Sequence, residues 1–238
     1  MLTAVQTGNP AGVSPYRFKP GPYSSHTLLL ASLPARGEGR RVLDIGCAAG
    51  YLGAALANRG YRVTGIENPA HVPADFPPGA ALVCADLDQG LPPQLGAFDF
   101  ILCADVLEHL RRPEALLREL RRALAPGGRL IASLPNSGHL YFRWNVLLGR
   151  FPQHDRGLFD RTHLHFYTWQ GWRDLFAGAG FAIESLRCSA VPVGEALPAW
   201  KDRWPMRAAE RLSYWSARCW KTACAYQFIV VARPVEAA

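Results

Sequence analysis

The stretch Arg41-Val42-Leu43-Asp44-Ile45-Gly46-Cys47-Ala48-Ala49-Gly50, followed downstream by Tyr61-Arg62-Val63-Thr64-Gly65-Ile66-Glu67, decides the fold. An apolar strand runs into a glycine turn, a helical stretch follows, and a second strand closes on an acid. That order is a nucleotide-binding βαβ unit. Asp44 narrows it. A turn that cradles a pyrophosphate presents backbone donors and positive potential, so a fixed carboxylate just before the glycines repels phosphate. It suits a ligand that carries an ammonium and a sulfonium and no phosphate. Gly46, Gly50 and Gly53 also miss the G-x-G-x-x-G spacing of the dinucleotide fingerprint, which argues against a dehydrogenase.

Outward from this unit the chain alternates strand and helix patterns. Strands are expected at 41–45, 61–66, 81–84, 98–103 and 129–134, with helices over 51–58 and 113–124. In the latter, Leu116, Leu117, Leu120 and Leu124 recur at helical spacing, Pro113 occupies the first turn and Pro126-Gly127-Gly128 closes it. Such alternation predicts an α/β fold with a mostly parallel sheet covered by helices on both faces. A short helix over 24–33 precedes the unit. After Pro135 the regularity breaks into a His-, Arg- and aromatic-rich stretch, 136–168, which belongs over the carboxyl ends of the strands. A helix over 169–177, a strand over 181–188, an insert over 191–222 and a last strand over 225–232 complete the chain.

With 238 residues, 49% apolar and 19% charged, the sequence is sized for one globular domain and is not that of a disordered chain. It divides into an N-terminal cap or lid (1–40), a ligand-binding core (41–134) and an acceptor-side region (135–238). The formal charge is +7. One basic cluster, Arg111, Arg112, Arg118, Arg121 and Arg122, reads as a solvated helix face. Another mixes Arg and Lys with Trp200, Trp204, Tyr214, Trp215 and Trp220. It reads as a peripheral helix packing its aromatics on the core, or else as a contact with an anionic membrane surface. Six cysteines lack metal or disulfide spacing, and Cys47, Cys84 and Cys103 are expected in or near core strands. The reading places the protein in the cytoplasm, without signal peptide or membrane span.

Residues 41–134 resemble the first motifs of class I S-adenosylmethionine-dependent methyltransferases. That resemblance implies a Rossmann-like sheet of seven strands whose last strand is antiparallel. It implies S-adenosylmethionine as cofactor, its methionine part held by Asp44, Gly46, Cys47 and Gly50; Ala48 or Ala49 stands where the family often has a third glycine. Glu67 can accept both ribose hydroxyls, and Asn68 can flank the adenine. Asp86 matches the acid that accepts from the adenine amino group, with Leu87 donating a backbone N–H and Asp88 as a competitor. Cys103-Ala104-Asp105 is expected beside the transferable methyl. Tyr16, Tyr23, Ser24, Ser25 and His26 form either a lid or an ordinary capping helix.

Asp105-Val106-Leu107-Glu108-His109, Pro113 and the later Pro126-Gly127-Gly128 resemble ubiquinone-biosynthesis O-methyltransferases. Asn145 to Arg150 and Asp160 to Phe166 look like small bacterial methyltransferases associated with cell-surface polysaccharide or glycolipid assembly. An oxygen nucleophile needs a base or a metal to take its proton. His109 or His163 is the base in one reading, since imidazole titrates near neutrality. The resemblance offers a divalent metal instead, with Asp105, Glu108, His109 and His163 as its set, although Asp105 is shorter than the family's usual Glu. His165 reads as a packing residue. The expected activity is O-methylation of a small-molecule, sugar or lipid-linked acceptor. The alternatives are a nucleic-acid methyltransferase, disfavoured by the lack of an RNA-binding module, and a non-catalytic cofactor-binding assembly protein.

Overall fold

The structure, a computed structural model, describes residues 18–72, 76–77, 79–93, 95–193 and 203–235. Seven strands form one sheet: β1 (Arg41–Ile45), β2 (Arg62–Glu67), β3 (Ala80–Cys84), β4 (Phe98–Ala104), β5 (Leu124–Pro135), β6 (Phe181–Cys188) and β7 (Gln227–Pro234). Their order is β3-β2-β1-β4-β5-β7-β6. All pairs are parallel except those of β7, which runs antiparallel to both β5 and β6. From β1 the chain goes outward to β2 and then back across to β4. The carboxyl ends of β1 and β4 therefore flank the switch point where such sheets bind ligands.

Residue alternation along β1 sorts the helices. Val42 faces the side covered by α1 (Ser25–Leu30) and α2 (Tyr51–Ala57), where Leu28, Leu29, Leu30, Leu52 and Leu56 are buried. Leu43 and Ile45 face the other side, covered by α3 (Pro113–Ala123) and α5 (Trp169–Gly178). Leu116, Leu117 and Leu120 of α3 are buried there with Trp172 and Phe176 of α5. Each such side chain contributes about 2 kcal/mol of burial. Arg118 and Arg122 of α3 are exposed, as expected of a solvated face, whereas Arg121 is half-buried and its Nη1 donates to the Val235 carbonyl at 3.4 Å. Helix α3 ends one residue earlier than its leucine spacing predicts, because Leu124 turns extended and pairs with Phe98 at the start of β5.

Three expectations need correction. The 136–168 stretch contains a helix, α4 (Leu140–Leu147), capped by the His139 ring, which accepts from the Tyr141 amide. The 191–222 insert contains α6 (Trp204–Cys219), followed by α7 (Lys221–Cys224), but α6 buries only Ala217. Trp204, Trp215 and Trp220 are exposed rather than packed on the core. Cys84 is exposed because β3 is an edge strand, while Cys47 and Cys103 are buried; the described cysteines are all free thiols. Tyr16 and Trp200 lie outside the described residues. Among the described residues no helix is long and apolar enough to cross a membrane.

Candidate active site

β1 delivers Asp44 to the floor of the glycine turn. Its side chain is 2% exposed, and Oδ2 has no hydrogen-bond partner. Burial, and secondarily the Glu67 carboxylate, pushes its pKa up to about 7, against the opposing hydrogen bond of the Gly53 amide. A buried carboxylate oxygen left open in this way is short of a cation or donor. The turn itself is left-handed at Gly46, Ala48 and Gly50 (φ 64°, 49° and 74°). At Gly46 a Cβ would lie 2.6 Å from Val106 Cγ2, so only glycine fits between β1 and the end of β4.

Glu67 closes β2 and folds back onto this turn. Its Oε2 accepts from the Ala48 amide at 2.6 Å and its Oε1 from the Asn68 amide at 2.8 Å. It thus braces the turn as well as facing the cleft, a duty the sequence did not reveal. The Cys47 amide donates to the Ile66 carbonyl at 3.0 Å. Burial, with the charges of Asp44 and Glu67, drives the Cys47 thiol far above its ordinary range, so it stays protonated. Asn68 Oδ1 caps a one-turn helix by accepting from Ala70 N at 3.0 Å. Past β3, Asp86 Oδ1 accepts from Asp88 N at 3.0 Å, opening the turn that begins with Leu87. Asp88 is turned away, its Oδ1 accepting from Arg111 N at 2.8 Å. Phe76 and Pro77 contact the glycine turn, with Pro77 Cδ 2.6 Å and Phe76 Cε2 2.8 Å from a Cβ built on Gly50.

The end of β4 carries Cys103, fully buried with its thiol pushed well up, and then Asp105 at φ 55°. Asp105 Oδ1 accepts from Ser133 Oγ at 2.5 Å, and Gln227 Nε2 donates to both carboxylate oxygens at 2.8 Å. These bonds commit it to β5 and β7. The metal set that included Asp105 is therefore corrected: Glu108, His109 and His163 come together, their ligand atoms within 4.8 Å of one another, and Asp105 is not of their number.

The imidazole region joins two distant segments. The Glu108 carbonyl accepts from the amides of Leu164 and His165 at 2.8 and 3.1 Å, clamping the turn after β4 to the 160–165 loop. The His109 and His163 rings meet edge to face at 4.8 Å. Thr162 Oγ1 donates its proton to Asp160 Oδ1 at 2.6 Å, so toward His109 Nδ1, 3.0 Å away, it is an acceptor. The Thr162 carbonyl, 3.2 Å from the same nitrogen, is also an acceptor. In the neutral ring Nδ1 therefore carries the proton, which leaves Nε2, without a hydrogen-bond partner among the described residues, as the acceptor. Burial and the neighbouring His109 lower the His163 pKa to about 4. Burial and Asp105 raise Glu108 well above the carboxylate range. His163 Nε2 and Glu108 Oε1 lie 3.9 Å apart, and both shifts favour neutral partners over an ion pair. His165 packs as expected, stacked on Tyr167, with Nε2 2.9 Å from the Leu110 carbonyl. Sequence reasoning missed Asp160 and Thr162; an Asx-type Asp-x-Thr spacing ahead of His163 was the available signal.

A family model described as "Methyltransferase domain" matches residues 19–186. The chain belongs to the class I S-adenosylmethionine-dependent methyltransferases. Ubiquinone biosynthesis O-methyltransferase of Pseudomonas aeruginosa is 38% identical over 106 residues, a match spanning 41% of this chain and 45% of that protein. The chain thus matches less than half the length of this curated relative. Among solved structures, the methyltransferase bound to the Trm112 activator of Haloferax volcanii superposes with a TM-score of 0.60 at 21% identity, covering 89% of this chain and 90% of that one. Magnesium protoporphyrin IX methyltransferase of Synechocystis, solved with bound S-adenosylhomocysteine, gives 0.55 at 19% identity, covering 87% and 78%. At such identities the two structures bear on the fold alone. The open oxygen of Asp44 fits the family's cationic cofactor.

Proposed function

We propose that this protein moves a methyl group from S-adenosylmethionine to a hydroxyl of a small-molecule, sugar or lipid-linked acceptor, with His109 as general base. The cofactor supplies an electrophilic methyl on a sulfonium. Asp44, Gly46, Cys47 and Gly50 are assigned to its methionine part, Glu67 and Asn68 to the ribose side, and Asp86 and Leu87 to the adenine. Asp105 is assigned to the path toward the acceptor, while Cys103, expected beside the methyl, lies buried in the core beneath it. Asp105, tied to Ser133 and Gln227, holds the end of β4 in place rather than moving a proton.

The observation that carries the reading is the contact of His109 Nδ1 with both the hydroxyl and the carbonyl of Thr162, which selects one tautomer of the neutral ring. Asp160 holds Thr162, Thr162 holds Nδ1–H, and Nε2 is left to accept the proton of a hydroxyl. His163, drained of basicity by burial, is assigned to positioning His109. The O-methyltransferase relative agrees with an oxygen acceptor. His109→Gln should lower turnover about 100-fold or more while leaving cofactor affinity unchanged. The measurements are methyl transfer from labelled cofactor into metabolite extracts and calorimetric titration of the cofactor. Unaltered turnover in the variant refutes the assignment. A divalent cation on Glu108, His109 and His163 is the competing reading, favoured by their ligand atoms' closeness. Activity that survives dialysis against a chelator excludes it; activity lost and restored by added metal replaces the base with the ion.

A further inference from the structure

Helix α4 leaves its apolar residues in solvent and fully buries none of its side chains. Leu140, Tyr141, Trp144, Leu147 and Leu148 follow the i, i+1, i+4, i+7, i+8 spacing of one helical stripe, and all five are exposed, Trp144 at 61% and Leu147 at 77%. In α3 the same kind of stripe is buried against the sheet. The inner side of α4 is meanwhile well anchored. Phe142 stacks on Phe159 at 4.4 Å, and Phe151 meets Phe159 and Phe166 edge-on at 5.2 Å each. Arg143 Nε donates to the Gly138 carbonyl at 2.6 Å. The stripe is therefore presented outward by a fixed helix. Uncovered apolar area of this kind marks an interaction surface.

We infer that α4 and the turn after it dock in the surface of an anionic lipid bilayer. Charge and composition select this occupant. Arg143, Arg150 and Arg156 flank the stripe, and the one acid between Leu140 and Arg156, Asp155, pairs with Arg161. Trp144 and Tyr141 are side chains that settle at the headgroup level, with Leu147 and Leu148 for the acyl boundary. An eight-residue helix is about 12 Å long, enough to lie in the interface and far too short to cross it. A second basic, aromatic element is joined to its root. Asn136, at the base of α4, donates to the carbonyls of Thr222 and Ala225 at 3.3 and 2.8 Å. This ties α7 and the exposed Trp220 to the same corner of the molecule. The proposal stands apart from the methyl-transfer reading, since it concerns where the protein sits and not what it catalyses.

Co-sedimentation of the full chain with phosphatidylglycerol–phosphatidylcholine vesicles and with pure phosphatidylcholine vesicles tests it. Binding to the anionic vesicles should exceed binding to the neutral ones and weaken with added salt. The variant Trp144→Glu/Leu147→Glu should bind at least tenfold more weakly, with an unchanged thermal melt, because both side chains lie in solvent. Equal retention of the variant, or no binding of the parent chain, overturns the proposal. So does a concentration-dependent dimer that the variant abolishes, which would make a second copy the occupant.

Discussion

Around the glycine turn the functional groups come from one continuous unit. The hydrogen bond from the Ala48 amide to Glu67 spans 19 positions and joins the turn after β1 to the end of the adjacent parallel strand β2. At the imidazole end His109 and Thr162 are 53 positions apart and meet only because one carbonyl, that of Glu108, takes two amides from the distant loop. The first end fixes its carboxylates through the sheet itself. The second fixes a tautomer through a loop. On the proposed assignment, cofactor capture rests on the fold and acceptor chemistry on an attached segment, so the two should fail separately.

The largest expected effect is at the cofactor end. Asp44→Ala removes the buried carboxylate assigned to the cationic ligand, and it should weaken S-adenosylmethionine binding about 100-fold, the value of a charge-assisted contact of about 3 kcal/mol. The His109–Thr162 geometry lies on a different segment and should persist. Calorimetric titration reads the affinity. An unchanged dissociation constant would break the assignment of charge selection to this end.

A smaller effect is expected at the imidazole end. Thr162→Val removes the hydroxyl that accepts from His109 Nδ1–H but leaves the Thr162 backbone carbonyl in reach. Turnover should fall roughly tenfold to thirtyfold with KM and cofactor affinity little changed, and Thr162→Ser should restore most of it. Steady-state kinetics on the two variants gives the split. If Thr162→Ser is as slow as Thr162→Val, the residue serves packing and not proton placement.

The same difference explains what was legible in the sequence. β1, β2 and the glycine turn follow from alternation and from residues that only such a turn requires, so their bounds were right to within a residue. Asp44 was readable as an anomaly because its meaning depends on local context. The meeting of His109 with His163 was foreseen only as a convergence of two segments, since no local pattern encodes the Glu108 clamp. The bonds that keep Asp105 out of the imidazole cluster were hidden for a related reason. Its partners, Ser133 and Gln227, lie on strands that come alongside only in the folded sheet. Helices α4 and α6 were missed or misread because their apolar residues do not face the core. A sequence pattern marks an apolar face without saying whether that face is covered.

The smallest effect joins the comparison to pH. In the free protein Asp44 has a pKa of about 7, raised by burial from an ordinary 3.8. A folded value above the unfolded one means that the folded state holds the extra proton. Its contribution to stability is therefore full below about pH 4 and is lost as pH rises through about 7. A cation beside Asp44 favours the charged form, so binding must expel that proton. Cofactor affinity should accordingly rise about tenfold at most between about pH 6 and about pH 8, with proton release measurable near pH 6.5 in buffers of different ionisation enthalpy. Asp44→Asn should bind more weakly, lose the release, and flatten the rise. If the rise survives the substitution, the titrating group belongs to the ligand or to the imidazole end, and the burial of Asp44 sets affinity without setting its pH dependence.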